Sequence, residues 1–103
     1  MTTVRPNELA ELEIAAELHW YSAESEQLAE RLWQDIQHAI QVISEYPAAG
    51  EEVLRVRVDG EVRRFLLRDF PYFVIYRQHP DYLEIVALAH TSRHPNYWRS
   101  RVT

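Results

Sequence analysis

The sequence predicts an α+β domain in which an N-terminal helical hairpin packs on one face of a mainly antiparallel sheet of four or more strands. Three observations predict it. Helical spacing of apolar residues is confined to the first half, alternating and β-branched runs fill the second half, and 103 residues leave room for one core. A hydrophobic fraction of 47% with 26% charged residues is the profile of one globular unit, so residues 1–103 are read as a single domain.

Pro6 and Asn7 lead into Glu8 to Tyr21, where strong helix formers dominate and Leu9, Leu12, Ala16 and Trp20 fall at helical spacing. Ser22 to Ser25 interrupts the pattern, and Ser25 is positioned to cap a second helix that runs to about Glu45. Leu28, Leu32, Ile36, Ile40 and Ile43 share one face of it, with Trp33 beside that stripe and expected to widen the core. Pro47 ends the helix. The short link makes an antiparallel pair whose outer surface is acidic, with Glu11, Glu13 and Glu17 expected on a solvated helix exterior.

Leu54 to Val58 alternates with period two, Asp59-Gly60 signals a two-residue turn, and Val62 to Leu67 returns. A two-residue turn pairs Val58 with Glu61 and Arg55 with Arg64, which puts Arg55, Arg57 and Arg64 on one face and Phe65 and Leu67 on the other. Opposed like charges cost a hairpin about 0.5 kcal/mol, so this cluster calls for an acidic cover, from a partner or from carboxylates of the chain itself. Tyr72 to Tyr76 and Tyr82 to His90 supply two more strands, separated by the turn His79-Pro80-Asp81. Thr2 to Arg5 fits a short edge strand, and Asn96 to Arg101 one helical turn beginning near Pro95.

Composition removes several chemistries. The chain has no Cys, so disulfides, zinc–thiolate sites and cysteine nucleophiles are excluded. Two Gly cannot build a phosphate loop, no Ser sits in a nucleophile elbow, and His90 and His94 lack both a helix and an acidic third ligand for a metal. The apolar run Ile85–Ala89 is far short of a membrane span, and Met1 to Arg5 is no signal peptide, so a cytoplasmic protein is expected. The net charge of −5 hides a segregation: residues 1–52 hold two Arg against eleven acids, a net −9, and residues 53–103 hold nine Arg against five acids, a net +4. All eleven basic residues are Arg, the side chain suited to bidentate contact with carboxylate or phosphate.

The densest candidate site is His90, Arg93, His94, Tyr97, Trp98, Arg99 and Arg101, within twelve residues after the last strand. Arginine with Tyr and Trp rings serves phosphate contact with base stacking, and it serves protein interfaces equally well. Tyr97 and Trp98 also fit a plainer role, tucking the C-terminal turn onto the core.

Trp20-Tyr21, the helix exit Ile43-Ser44-Glu45-Tyr46-Pro47-Ala48-Ala49-Gly50, Val62-Arg63-Arg64-Phe65-Leu66-Leu67, Phe70-Pro71-Tyr72, Ile75-Tyr76-Arg77, and Val86-Ala87-Leu88-Ala89-His90 with Arg93, Pro95, Tyr97-Trp98 and Arg101 resemble, in order and spacing, the RelE/ParE superfamily of type II toxin–antitoxin toxins. The resemblance implies a helical hairpin on an antiparallel sheet, no cofactor, a role in plasmid stabilisation and growth inhibition, and a cognate antitoxin that neutralises the chain. RelE-like members cut mRNA on the ribosome with sheet Arg and Lys and a C-terminal Tyr, whereas ParE-like members block DNA gyrase. Just after Tyr72, where RelE-like enzymes carry a sheet Arg, this chain has Phe73, and it has no Lys. The pattern therefore looks ParE-like, with target binding expected from His90, Arg93, Tyr97, Trp98 and Arg101 and antitoxin binding from Arg55, Arg57 and Arg64. In the nuclease alternative Arg64, Arg93 and Tyr97 would be catalytic, and a non-toxic binding partner of the same fold is a third reading.

Overall fold

Asn7 and Ser25 set the two helices. In a computed structural model, which describes residues 1–53 and 60–102, the Asn7 side chain accepts a hydrogen bond from the Ala10 amide at 2.8 Å and starts α1, Glu8–Glu24. Ser25 ends α1 through its own N–H and starts α2, Glu26–Glu45, by accepting from the Leu28 amide at 3.3 Å. One residue thus serves both helices, which folds them into a tight hairpin. The remaining elements are β1 (Val4–Pro6), β2 (Glu51–Glu52), β3 (Val62–Leu66), β4 (Tyr72–Gln78), β5 (Leu83–His90) and a short 3-10 turn at Arg99–Arg101.

The sheet order is β1-β5-β4-β3-β2. Strands β2 to β5 pair antiparallel, and the expected N-terminal edge strand is β1, which joins β5 in parallel with Val4 opposite Leu83. Both faces of the sheet are covered. Leu32, Ile36, Ala39 and Ile43 of α2 pack with Val74, Tyr76, Leu83 and Ile85 on one face, while Trp98 and Val102 close over Val62, Ile75, Ala87 and Ala89 on the other. The turn after β3 is held to α2 by the buried Asp35 carboxylate, which accepts from the Arg68 and Asp69 amides at 3.2 and 2.8 Å. Gly50 explains itself by proximity: an added Cβ would lie 2.7 Å from the Tyr76 hydroxyl, which accepts from the Gly50 amide and donates to the Pro47 carbonyl.

Four expectations need correction. Trp33 is 40% exposed, because one residue past Leu32 it turns about 100° away from the buried stripe and no described element covers that side. The spacing Leu9, Leu12, Ala16, Trp20 faces solvent; the inward face of α1 is Ala10, Ile14, Leu18 and Tyr21. Glu13 and Glu17 are half-buried and bonded to the sheet side of the molecule rather than solvated. Arg64 lies opposite Glu51 instead of Arg55, so an attractive pair replaces the repulsive one, and the strand is entered from β2. The expected strand Leu54 to Val58, with Arg55 and Arg57, lies outside the described residues. Gly60 has φ +91°, the left-handed conformation a turn glycine supplies, and a Cβ there would sit 2.4 Å from the Gln78 carbonyl oxygen.

At the β1 end of the sheet, Glu84 accepts hydrogen bonds from Asn7 Nδ2 (3.1 Å) and Arg77 Nη2 (3.2 Å) and lies 2.8 Å from His79 Nε2. Burial alone would raise its pKa, but the bonds from His79 and Asn7 and the Arg77 charge outweigh burial and hold it below the ordinary carboxyl value. A folded pKa below the unfolded one stabilises the fold at pH above the unfolded value, and that stabilisation is lost as pH falls through the folded value. Glu84→Gln is therefore expected to flatten the acid limb of a stability–pH curve, measured by denaturant melts from neutral pH downward; an unchanged acid limb would refute the assignment.

Candidate functional site

The face of the sheet opposite the helices carries a groove of about 320 Å³. Strand alternation builds its floor. Phe73 and Ile75 of β4 and Ala89 of β5 point to this face, and the small Ala89 leaves room for the Trp98 indole to rise against the sheet. One wall is Glu51, Glu52 and Arg64, and the other is the loop from His90 to Asn96 that follows β5.

Arg64 is held in place by two contacts. Its guanidinium lies 4.7 Å over the Phe73 ring and its Nη2 is 3.0 Å from Glu51. Across the groove, Arg93 stacks over the Tyr97 ring at 3.8 Å and keeps more than half of its side chain in solvent. The loop between them is ordered by its own side chains. His90 Nδ1 accepts the Ser92 amide at 3.1 Å, and His94 Nδ1 accepts the Asn96 amide at 3.2 Å. In each neutral imidazole the proton is thereby placed on Nε2, so both rings are donors, as are both arginines. The groove presents cationic and hydrogen-bond-donating groups above an aromatic floor, with Glu51 and Glu52 on one rim.

Sequence clustering does not equal spatial clustering here. Arg64, His90, Arg93 and Trp98 line one groove, but Trp98 is 1% exposed and forms its base, so the indole is a core residue and not the exposed anchor expected. Tyr97 and Arg101 are held at the edge of β5 by Glu13 of α1, expected on a solvated exterior, and Arg93 reaches the same carboxylate from the groove side, with Nη1 3.8 Å from it. The Glu13 carboxylate accepts from Tyr97 Oη at 2.7 Å, from Arg101 Nη1 at 2.7 Å and Nη2 at 3.1 Å, and from the Leu88 amide at 3.2 Å. Arg101 Nη1 also donates to the Val86 carbonyl at 3.0 Å, and Tyr97 Oη lies 3.3 Å from the Leu88 carbonyl. These side chains satisfy the edge of β5 past Ile85, where β1 ends. Burial first, and the bond to Glu13 second, push the Tyr97 hydroxyl well above its ordinary pKa, while the Glu13 bond raises that of Arg101. Among the described residues no group of three His, Asp or Glu side chains is arranged to hold a metal ion.

A family profile described as the ParE toxin of type II toxin–antitoxin systems, parDE, matches residues 4–95. The chain belongs to the ParE toxin family. Among solved structures it is similar to one described as the chromosomal ParDE TA system from P. aeruginosa, at 18% identity and a TM-score of 0.72, covering 89% of this chain and 98% of that one. No curated protein matches the sequence. The match ends at Pro95, so the ParE profile covers the helices, the sheet and the groove loop but not Tyr97, Trp98 and Arg101. No described helix of this ParE-family chain is long and apolar enough to cross a membrane.

Of the residues that shape the site, Glu13, Glu51 and Phe73 escaped the sequence reading as site members. Glu13 carries no local signal, since its partners lie 75 to 88 residues away.

Proposed function

We propose that this ParE-family toxin arrests growth in the cytoplasm by binding and inhibiting DNA gyrase, and that a cognate antitoxin neutralises it. The observation that carries the non-enzymatic reading is the state of Tyr97. A nuclease of the RelE type would use this hydroxyl to move a proton, yet it donates to Glu13 at 2.7 Å and its pKa is displaced upward, away from the range useful at neutral pH. Arg93 also reaches Glu13, at 3.8 Å, but keeps more than half of its side chain in solvent at the rim of the groove, on the loop that follows β5, the position and residue type of an interface contact. Purified wild-type chain is expected to inhibit gyrase supercoiling, and Arg93→Glu to weaken that inhibition about tenfold; equal inhibition by both would remove Arg93 from the target surface.

One observation favours a second reading, ribosome-dependent mRNA cleavage. His90 and His94 line the same groove as Arg64 and Arg93, and imidazoles are the commonest proton carriers in catalysis. Programmed ribosomes decide it: codon-site cleavage lost in Arg64→Ala would make the chain an endoribonuclease.

The antitoxin is proposed to lay an acidic segment against Arg64 of β3, with Arg55 and Arg57, which lie outside the described residues, as its further contacts. Arg64 already pairs with Glu51, which supports a site selective for carboxylates. Arg55→Glu/Arg64→Glu is expected to weaken antitoxin binding by more than about 1 kcal/mol, with reduced salt dependence, in a calorimetric titration. Unchanged affinity would remove the arginine face from the antitoxin interface.

A further inference from the structure

We propose that Tyr97 is a positioning residue for Arg93: its ring is the platform that holds the Arg93 guanidinium ready for the target, an inference that rests on the gyrase reading above. Two successive turns bring the pair together. The Arg93 amide donates to the His90 carbonyl at 3.0 Å and the Tyr97 amide to the His94 carbonyl at 3.2 Å. The chain doubles back, and the guanidinium carbon of Arg93 comes to lie 3.8 Å over the Tyr97 ring.

The ring is fixed from both ends. It packs on the buried cluster of Ile75, Ala89 and Trp98, and its hydroxyl donates to Glu13 at 2.7 Å, with the Arg101 guanidinium carbon 5.2 Å from the ring centre. Arg93 is held far more loosely. It stands on an exposed loop, and its Nη1 is 3.8 Å from the Glu13 carboxylate, an ion-pair distance longer than a hydrogen bond. Arg101 donates to both oxygens of that carboxylate, at 2.7 and 3.1 Å, so the close positions around Glu13 are taken. An unrestrained arginine samples many rotamers and loses that freedom on binding. The ring beneath Arg93 removes part of the freedom in advance, by attraction through the flat face of the guanidinium, and leaves its in-plane N–H donors for oxygen acceptors on the target. The Tyr97 hydroxyl then acts on position, by anchoring the ring, and not on a proton.

The test compares Tyr97→Phe with Tyr97→Leu in the full chain. Both delete the hydroxyl and its bond to Glu13, so a purely structural role would weaken both alike, whereas Tyr97→Leu alone deletes the platform. Tyr97→Leu is expected to weaken inhibition of gyrase supercoiling about fivefold, the order of fixing one long side chain on binding, and Tyr97→Phe to stay within about twofold of wild type. In an Arg93→Ala background Tyr97→Leu is expected to add no further loss, because the ring acts through Arg93. Stepwise fluorination of a phenylalanine placed at position 97 drains the negative face of the ring and keeps its shape, so inhibition is expected to fall with each step in a chain that stays folded. Nuclear magnetic resonance gives a readout without the target: the Arg93 δ-methylene protons are expected upfield in the wild type and Tyr97→Phe, and at their ordinary position in Tyr97→Leu. Equal inhibition along the fluorinated series, or an undiminished loss from Tyr97→Leu without Arg93, would overturn the proposal. So would loss of activity in Tyr97→Phe with the Arg93 protons still upfield, which would make the hydroxyl itself the active group. A wild-type chain that leaves supercoiling untouched overturns the gyrase reading, and this one with it.

Discussion

Trp98→Ala is expected to lower the stability of the domain by about 3–5 kcal/mol, the range for deleting a large aromatic side chain from a core. The indole is 1% exposed and closes the sheet face formed by Val62, Ile75, Val86, Ala87 and Ala89, with Val102 beside it. The sequence prepares this site from both sides: β5 presents Ala87 and Ala89, too small to fill the face themselves, and the tail returns one large ring to cover them. With the helices committed to the other face, nothing else in the described chain can replace Trp98. A domain of this size has total stability on the order of 5–15 kcal/mol, so the loss is a large share of it. Deleting residues from Pro95 onward removes Trp98, Val102 and Arg101 together. That truncation is expected to give an unfolded or molten chain, so its loss of toxicity would say nothing about target contact. Equilibrium urea denaturation followed by far-ultraviolet circular dichroism checks both variants; a truncated chain with a wild-type transition would show that the tail is dispensable.

The elements were legible because their signals are local. Apolar residues at intervals of three and four mark α2, Ser25 marks the break between the helices, and β-branched and aromatic runs mark β4 and β5. What failed is what depends on distant partners. Trp33 differs from Leu32 by one position, and periodicity cannot say whether a neighbouring layer covers the extra 100° of arc. The pairing of β3 was misread because alternation fixes faces, not register; the complementary charges of Glu51 and Arg64 oppose each other where a two-residue turn would have placed Arg55. Half of the candidate site was legible for a similar reason. His90 and Arg93 stand at and just past the end of β5, and Arg64 lies on a strand whose alternation sends it to the groove face. Tyr97, Trp98 and Arg101 share their composition, but burial makes Trp98 the base of the groove, and the carboxylate of a residue far back in the chain holds Tyr97 and Arg101 at the edge of β5.

Glu13→Ala is expected to cost about 3 kcal/mol and to loosen the C-terminal segment. The Glu13 and Arg101 side chains are only 16% and 13% exposed, so the ion pair lies largely out of water and its loss is not screened as a surface pair would be. Removing the carboxylate leaves the Arg101 guanidinium with the Val86 carbonyl, Tyr97 Oη with a 3.3 Å contact to the Leu88 carbonyl, and the Leu88 amide at a strand edge without its acceptor. The penalty comes chiefly from the orphaned charge, so Glu13→Ala/Arg101→Met is expected to recover part of it, and a double-mutant cycle with Arg101→Met isolates the coupling. Tyr97 gives an independent readout. Its folded pKa is raised above the ordinary value, so its contribution to stability is fully present below the unfolded pKa and is lost as pH rises through the folded one. In Glu13→Ala the hydrogen bond and the neighbouring negative charge are both gone, and the tyrosinate absorbance of Tyr97 is expected at lower pH than in the wild type. Tyr97→Phe identifies that component of the titration by deleting it. Wild-type stability together with an unshifted Tyr97 titration would show that Glu13 does not hold the tail to the sheet.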